Sequence, residues 1–102
     1  MHVLLITFRI AGAIDEKAWE ELAHKVAVVP GLISKTWILN SEASEGGGFY
    51  LFETSQARDD YLNGPIVSAL KADPTLQGLT ARTFTVHEGL TAITRGPVGA
   101  SA

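Results

Sequence analysis

The sequence predicts an α+β fold in the order βαββαβ, on three observations. Short runs rich in β-branched and aromatic residues alternate with two stretches of helical period. Glycine, proline and asparagine punctuate nearly every boundary between them, and no run approaches the roughly 20 apolar residues that span a bilayer. The 102 residues fit one domain, 1–102, with no room for a second core. Hydrophobic residues make up 46% and charged residues only 19%, against roughly 25% charged in average usage. So little charge leaves part of the surface uncovered, and the simplest cover is a second copy of the chain.

His2 to Arg9 reads as a strand with Leu4, Ile6 and Phe8 on one face and Val3, Leu5 and Thr7 on the other. Both faces are apolar, so both should be covered. Ala11-Gly12-Ala13 breaks it, and Asp15 can cap a helix whose stripe is Trp19, Leu22, Ala23 and Val26, with Glu16, Glu20, Glu21 and Lys25 on the wet side. Pro30-Gly31 ends that helix, and Leu32 to Asn40 is the second strand. Ser41 to Gly48 reads as a polar, glycine-ended turn and Phe49 to Glu53 as the third strand, antiparallel to the second. A turn centred near Ser44 sets Lys35 opposite Glu53 and Trp37 opposite Leu51.

Ser55 is placed to cap the second helix, which Asn63-Gly64-Pro65 interrupts. Pro65 suits the first turn of its continuation through Ile66, Val67, Ala69 and Leu70. Asp73-Pro74 stops it, and Leu79 to His87 is the last strand. In the tail, about 89–102, Leu90 and Ile93 are spaced for one helical turn before an end that should fray. This order is the ferredoxin-like split βαβ unit: a four-stranded antiparallel sheet with two helices on one face. The other face is bare and apolar on the first and third strands, which predicts face-to-face pairing of two sheets in a homodimer, a dimeric α+β barrel.

Net charge −3, a pI near 5.5 and eight scattered Lys and Arg residues give no footprint for nucleic acid. The absence of cysteine removes disulfides, thiolate nucleophiles and Cys-ligated metals together. Three unrelated histidines offer no metal-ligand spacing, and no phosphate-binding or dinucleotide fingerprint appears. The expectation is a cytoplasmic protein without metal, cofactor, membrane or nucleic-acid partner.

Three segments carry a resemblance. Pro30-Gly31-Leu32 with Lys35 and Trp37, then Gly47-Gly48-Phe49-Tyr50-Leu51-Phe52, then Phe84-Thr85-Val86-His87-Glu88-Gly89-Leu90 with Ile93, resemble in order the motifs of the YdhR-type family. Members are assigned as monooxygenases by analogy with barrel relatives that oxidise polyketide aromatics without metal or flavin. The resemblance runs over nearly the whole chain. It implies a dimeric α+β barrel and a cofactor-independent monooxygenase for an aromatic or polyketide-type small molecule. An isomerase or cyclase of the same superfamily, or a carrier of small apolar ligands, are the alternatives. Ser34 departs from the family, which often has a bulky aromatic there; the smaller residue either enlarges the cavity or is simply repacked around.

Such chemistry needs aromatic walls, one base and a cation or donor near the developing anion. Trp37 is the candidate wall, against a plain role in core or dimer packing. Tyr50 and Tyr61 are candidate donors to a ligand oxygen, Tyr61 lying just before the helix break, and Ser34 joins them as a candidate substrate contact. Lys35, a charge inside a strand, either pairs with Glu53 or steadies a substrate anion, and Arg82 is a second candidate for that role. Of the possible bases His2, His24 and His87, His24 is the candidate that could face the cavity beside Trp19; Trp19 itself reads as core.

Overall fold

The computed structural model describes residues 1–98. The chain runs β1 (His2–Ile10), α1 (Glu16–Ala27), β2 (Leu32–Asn40), β3 (Glu45–Phe52), α2 (Ser55–Leu62), α3 (Pro65–Ala72), β4 (Leu76–Thr85) and α4 (Glu88–Ile93). Its strands form one antiparallel sheet in the order β2-β3-β1-β4. With helices packed on one face, this is the α+β, ferredoxin-like arrangement that the sequence predicts.

Local chemistry explains the boundaries. The Asp15 carboxylate accepts the Ala18 N–H at 3.1 Å and caps α1. Thr54, not Ser55, caps α2, its hydroxyl accepting the Ala57 N–H at 3.0 Å. Asn63-Gly64 ends α2, and Pro65 opens α3, where its missing N–H costs nothing. His87 leaves β4 to cap α4, its Nδ1 accepting the Leu90 N–H at 3.1 Å. That is why β4 ends at Thr85 rather than at His87. It also starts three residues earlier than expected, at Leu76. The predicted fraying of the last residues concerns 99–102, outside the described residues.

Residues paired across an antiparallel ladder share a face. Leu4, Ile6 and Phe8 of β1 therefore join Tyr50 and Phe52 of β3 on the helix side. There they meet Val26, Tyr61, Val67 and Leu76 to form the core. Burying one such side chain contributes roughly 1.5–3 kcal/mol, so this cluster dominates the stability of the fold.

The opposite, outer face carries Val3, Leu5 and Thr7 of β1, Phe49 and Leu51 of β3, Thr36 and Ile38 of β2, and Thr80, Arg82 and Phe84 of β4. Among the described residues no helix covers it. Phe49 is 38% exposed and Phe84 43%. Within it the Thr7 and Thr80 hydroxyls bond each other at 2.8 Å.

The hairpin corrects the sequence reading. Gly46, Gly47 and Gly48 belong to β3, and the register sets Lys35 opposite Tyr50 and Trp37 opposite Gly48. The turn is tighter than expected because Asn40 starts it, its side chain accepting the Ala43 N–H at 3.3 Å. Lys35 and Glu53 do not face each other, and the salt bridge predicted between them does not form.

Candidate active site

A cavity of about 350 Å³ opens between the helix side of the sheet and α1, within the roughly 300–1,000 Å³ usual for small-molecule sites. Phe8 and Ile10 of β1, Lys35 and Trp37 of β2, and Gly48 and Tyr50 of β3 form its floor. Trp19 and Leu22 of α1, Leu70 of α3 and Asp73, Thr75 and Leu76 complete the walls. The indoles of Trp19 and Trp37 lie 5.7 Å apart between centroids and tilted by 43°, and Phe8 meets Trp19 edge-on at 6.1 Å. Three linked aromatic rings so arranged make an apolar, angled receptor in which the Trp37 indole offers one flat face.

Gly48 creates the room. A Cβ there would lie 2.5 Å from Lys35 Cε and 2.8 Å from Tyr50 Cε1. Without it, the lysine stem and the phenol ring share the space beside Trp37. Lys35 Nζ sits 3.3 Å from the Trp37 ring centroid and 4.6 Å from that of Tyr50. Among the described residues no carboxylate pairs with it. Burial strips water from the ammonium without supplying an anion, and brings the pKa down from 10.5 to about 7. Near neutral pH this amine is therefore divided between its charged and free forms.

The two carboxylates at the cavity are otherwise engaged. Asp15 caps α1, and Asp73 accepts the Thr75 hydroxyl at 2.7 Å and its N–H at 2.9 Å. Those bonds hold the Asp73 carboxyl below its usual range. Behind the floor, the Tyr61 hydroxyl donates to the Tyr50 hydroxyl at 3.0 Å. Burial first, and Tyr61 second, push the Tyr50 pKa far above its ordinary value, and burial raises that of Tyr61. Both phenols hold their protons at neutral pH.

The structure brings Lys35, Trp37 and Tyr50 together at the cavity and sets Tyr61 directly behind Tyr50. Tyr61 also borders a second hollow of about 450 Å³, between the Val29–Gly31 loop and α2. Three candidates stand elsewhere. His24 is five residues beyond Trp19, about 140° round the helix; its side chain is 80% exposed and lies 4.0 Å from Glu20. Arg82 and Ser34 pair with Leu5 and Leu51, so strand alternation turns both to the outer face. Arg82 there lies 5.0 Å from the Phe84 ring. Among the described residues no histidine lines the cavity.

Sequence reasoning missed Gly48, read as turn chemistry, and Trp19, read as core. The signal for Gly48 was the correct register, which sets it opposite Trp37; Trp19 does pack against the core as read, and its second role at the cavity had no signal in the sequence.

Over residues 3–97 the chain matches the family described as "Putative mono-oxygenase ydhR", and it belongs to that family. Solved structures share the fold. SnoaB from Streptomyces nogalater, a cofactor-independent oxygenase, superposes with a TM-score of 0.66 at 19% identity, over 84% of this chain and 92% of its own. A monooxygenase from the ActVA-Orf6 gene of Streptomyces coelicolor, in complex with nanaomycin D, gives 0.62 at 24%, over 84% and 87%. The heme-degrader MhuD from Mycobacterium tuberculosis, with two hemes bound in its active site, gives 0.61 at 17%, over 85% and 96%. Comparison with the curated proteins gives no match. No helix is long and apolar enough to cross a membrane among the described residues.

Proposed function

We propose that the protein is a cofactor-independent monooxygenase whose cavity takes an acidic, flat aromatic or polyketide-type molecule, and that it works as a cytoplasmic homodimer. The observation that carries this reading is Lys35: an amine divided between its two forms near pH 7, stacked against Trp37, with no carboxylate among the described residues paired to it. A free amine takes the proton of a phenol or enol bound on the indole floor. The ammonium so formed lies beside the anion it has generated, so one residue serves as base and then as counter-ion. Tyr50 steadies the substrate oxygen by donating its own proton, since Tyr61 already donates to it.

The electron-rich anion reduces dioxygen directly. At a ring methylene, one atom of dioxygen bonds to the carbon and becomes its carbonyl oxygen. The other atom leaves as water with both methylene hydrogens, and the substrate supplies every electron. The aromatic walls and Leu22 and Leu70 keep bulk water from the anion. The outer face of the sheet, apolar and free of helices among the described residues, is where the partner copy seats. Leu90 and Ile93 of α4, 61% and 75% exposed, extend the apolar surface available to it.

Oxygen consumption by metal-free protein, with a panel of anthrones, hydroquinones and related phenols and corrected for autoxidation, tests the reading. Saturable uptake that disappears in Trp37→Ala while the dimer persists supports it. Product formed equally well without oxygen makes the protein an isomerase or cyclase. Fluorescence-detected binding without turnover makes it a carrier.

A further inference from the structure

We infer that Lys35 is also a covalent capture site for carbonyl compounds, binding flat aromatic aldehydes and ketones as imines in the cavity with Tyr50 as the proton carrier. The inference rests on the same cavity as the proposed oxygenase but not on its reaction with oxygen.

Imine formation asks four things of a site: a free amine, space at its nitrogen, a proton donor that leads the carbonyl oxygen away as water, and shelter from bulk water. Lys35 meets the first because no carboxylate among the described residues pairs with it, and burial leaves a large part of it as free amine near pH 7. It meets the second because its side chain lines the cavity beside the missing side chain of Gly48. The third falls to Tyr50, directly opposite Lys35 across the β2–β3 ladder. Tyr61 donates to the Tyr50 oxygen at 3.0 Å, and among the described residues no other hydrogen bond engages the Tyr50 hydroxyl, whose ring lines the cavity. Trp19, Trp37 and Leu22 supply the shelter and favour a flat ligand.

The steps balance without oxidant or cofactor. The Nζ lone pair forms a bond to the carbonyl carbon as the C=O π bond opens. The oxygen takes the Tyr50 proton as the nitrogen hands one to the Tyr50 oxygen in the same relay, giving the carbinolamine with the phenol never left ionised. Tyr50 then protonates the hydroxyl, the C–O bond breaks and water leaves. The nitrogen lone pair closes the C=N bond, and the iminium proton restores Tyr50. Amine and carbonyl become imine and water.

The test is reductive trapping of the intact protein with 2-naphthaldehyde and cyanoborohydride, read by peptide mass mapping. Lys17, Lys25 and Lys71, all exposed, serve as internal controls. Lys35 should be labelled at least about tenfold faster than these near neutral pH. Its rate should rise with pH through a midpoint near 7, where the amine frees itself. Tyr50→Phe should slow capture by roughly tenfold while leaving that midpoint in place, because it removes the proton carrier and not the amine. Labelling of Lys35 no faster than the exposed lysines, or a midpoint near that of an ordinary lysine, overturns the inference. Trapping needs no oxygen, so capture without oxygen uptake upholds this inference while refuting the oxygenase. Oxygen uptake dependent on Lys35 with no trapping refutes capture and leaves Lys35 a base alone.

Discussion

Replacing Lys35 with methionine should stabilise the fold, by an amount that depends on pH in a defined way. Lysine has its ordinary pKa of 10.5 in the unfolded chain and about 7 in the folded one. Between those values the unfolded state binds a proton at this site that the folded state does not. The free energy of unfolding therefore rises with pH, by up to ~1.4 kcal/mol per unit. Over the whole interval from about 7 to 10.5 this comes to ~5 kcal/mol. A folded pKa of about 7 is already net of whatever the indole face 3.3 Å from Nζ returns to the ammonium, so nothing further is subtracted.

Methionine keeps the stem and drops the amine. Lys35→Met should thus be more stable than the parent by ~4–5 kcal/mol at and below pH 7, with the gap closing as pH approaches 10.5. Urea unfolding followed by tryptophan fluorescence, at equal protomer concentration and in steps across that range, measures it. A variant less stable than the parent at neutral pH, or two stability curves that run parallel, would refute the claim that an unpaired amine is held in the cavity at a cost.

Gly48→Ala places a methyl group against Lys35 Cε and the Tyr50 ring. It should cost about 1–3 kcal/mol by overpacking, and abolish both oxygen uptake and aldehyde capture by evicting the amine. Tyr61→Phe removes the donor to Tyr50; urea titration should show a loss of about 1 kcal/mol, and capture at Lys35 should slow without a change in its pH midpoint. Phe49→Glu puts charge on the outer face without touching the cavity; on the proposed homodimer, sedimentation should show a dimer for the parent and monomers for the variant. Asp15→Ala should lower stability by about 1 kcal/mol through loss of the α1 cap, readable as a drop in melting temperature.

Much of the architecture was legible in the sequence because periodicity and punctuation agree. The alternation in His2 to Ile10, the stripe through Trp19 and Val26 and the Asn63-Gly64-Pro65 break all act locally. Trp37, Lys35 and Tyr50 could be singled out as residue types. Their meeting could not, because it depends on hairpin register. Moving the pairing partner of Lys35 from Glu53 to Tyr50 is a slip of three residues, and any odd slip exchanges the faces of a strand. The glycines concealed this: read as turn, they shorten β3 and push the register outward; read as strand, they hollow the sheet. His24 failed for a simpler reason, since its apparent place beside the apolar stripe ignores the 140° or so that separates it from Trp19.

The glycine run on β3 also thins the sheet. Gly46 and Gly48 face the helix side and Gly47 faces outward, so along this stretch neither surface carries a side chain from β3. Its neighbour β1 lies so close beside it that a Cβ on Gly47 would collide with the Ile6 carbonyl oxygen. A ligand resting on the floor and a body pressed against the far side are separated here by little more than one layer of peptide. The sheet at this point is a diaphragm between two compartments: pressure on one surface bears directly on the other, and any change of sequence that deepens the one must be tolerated by the other.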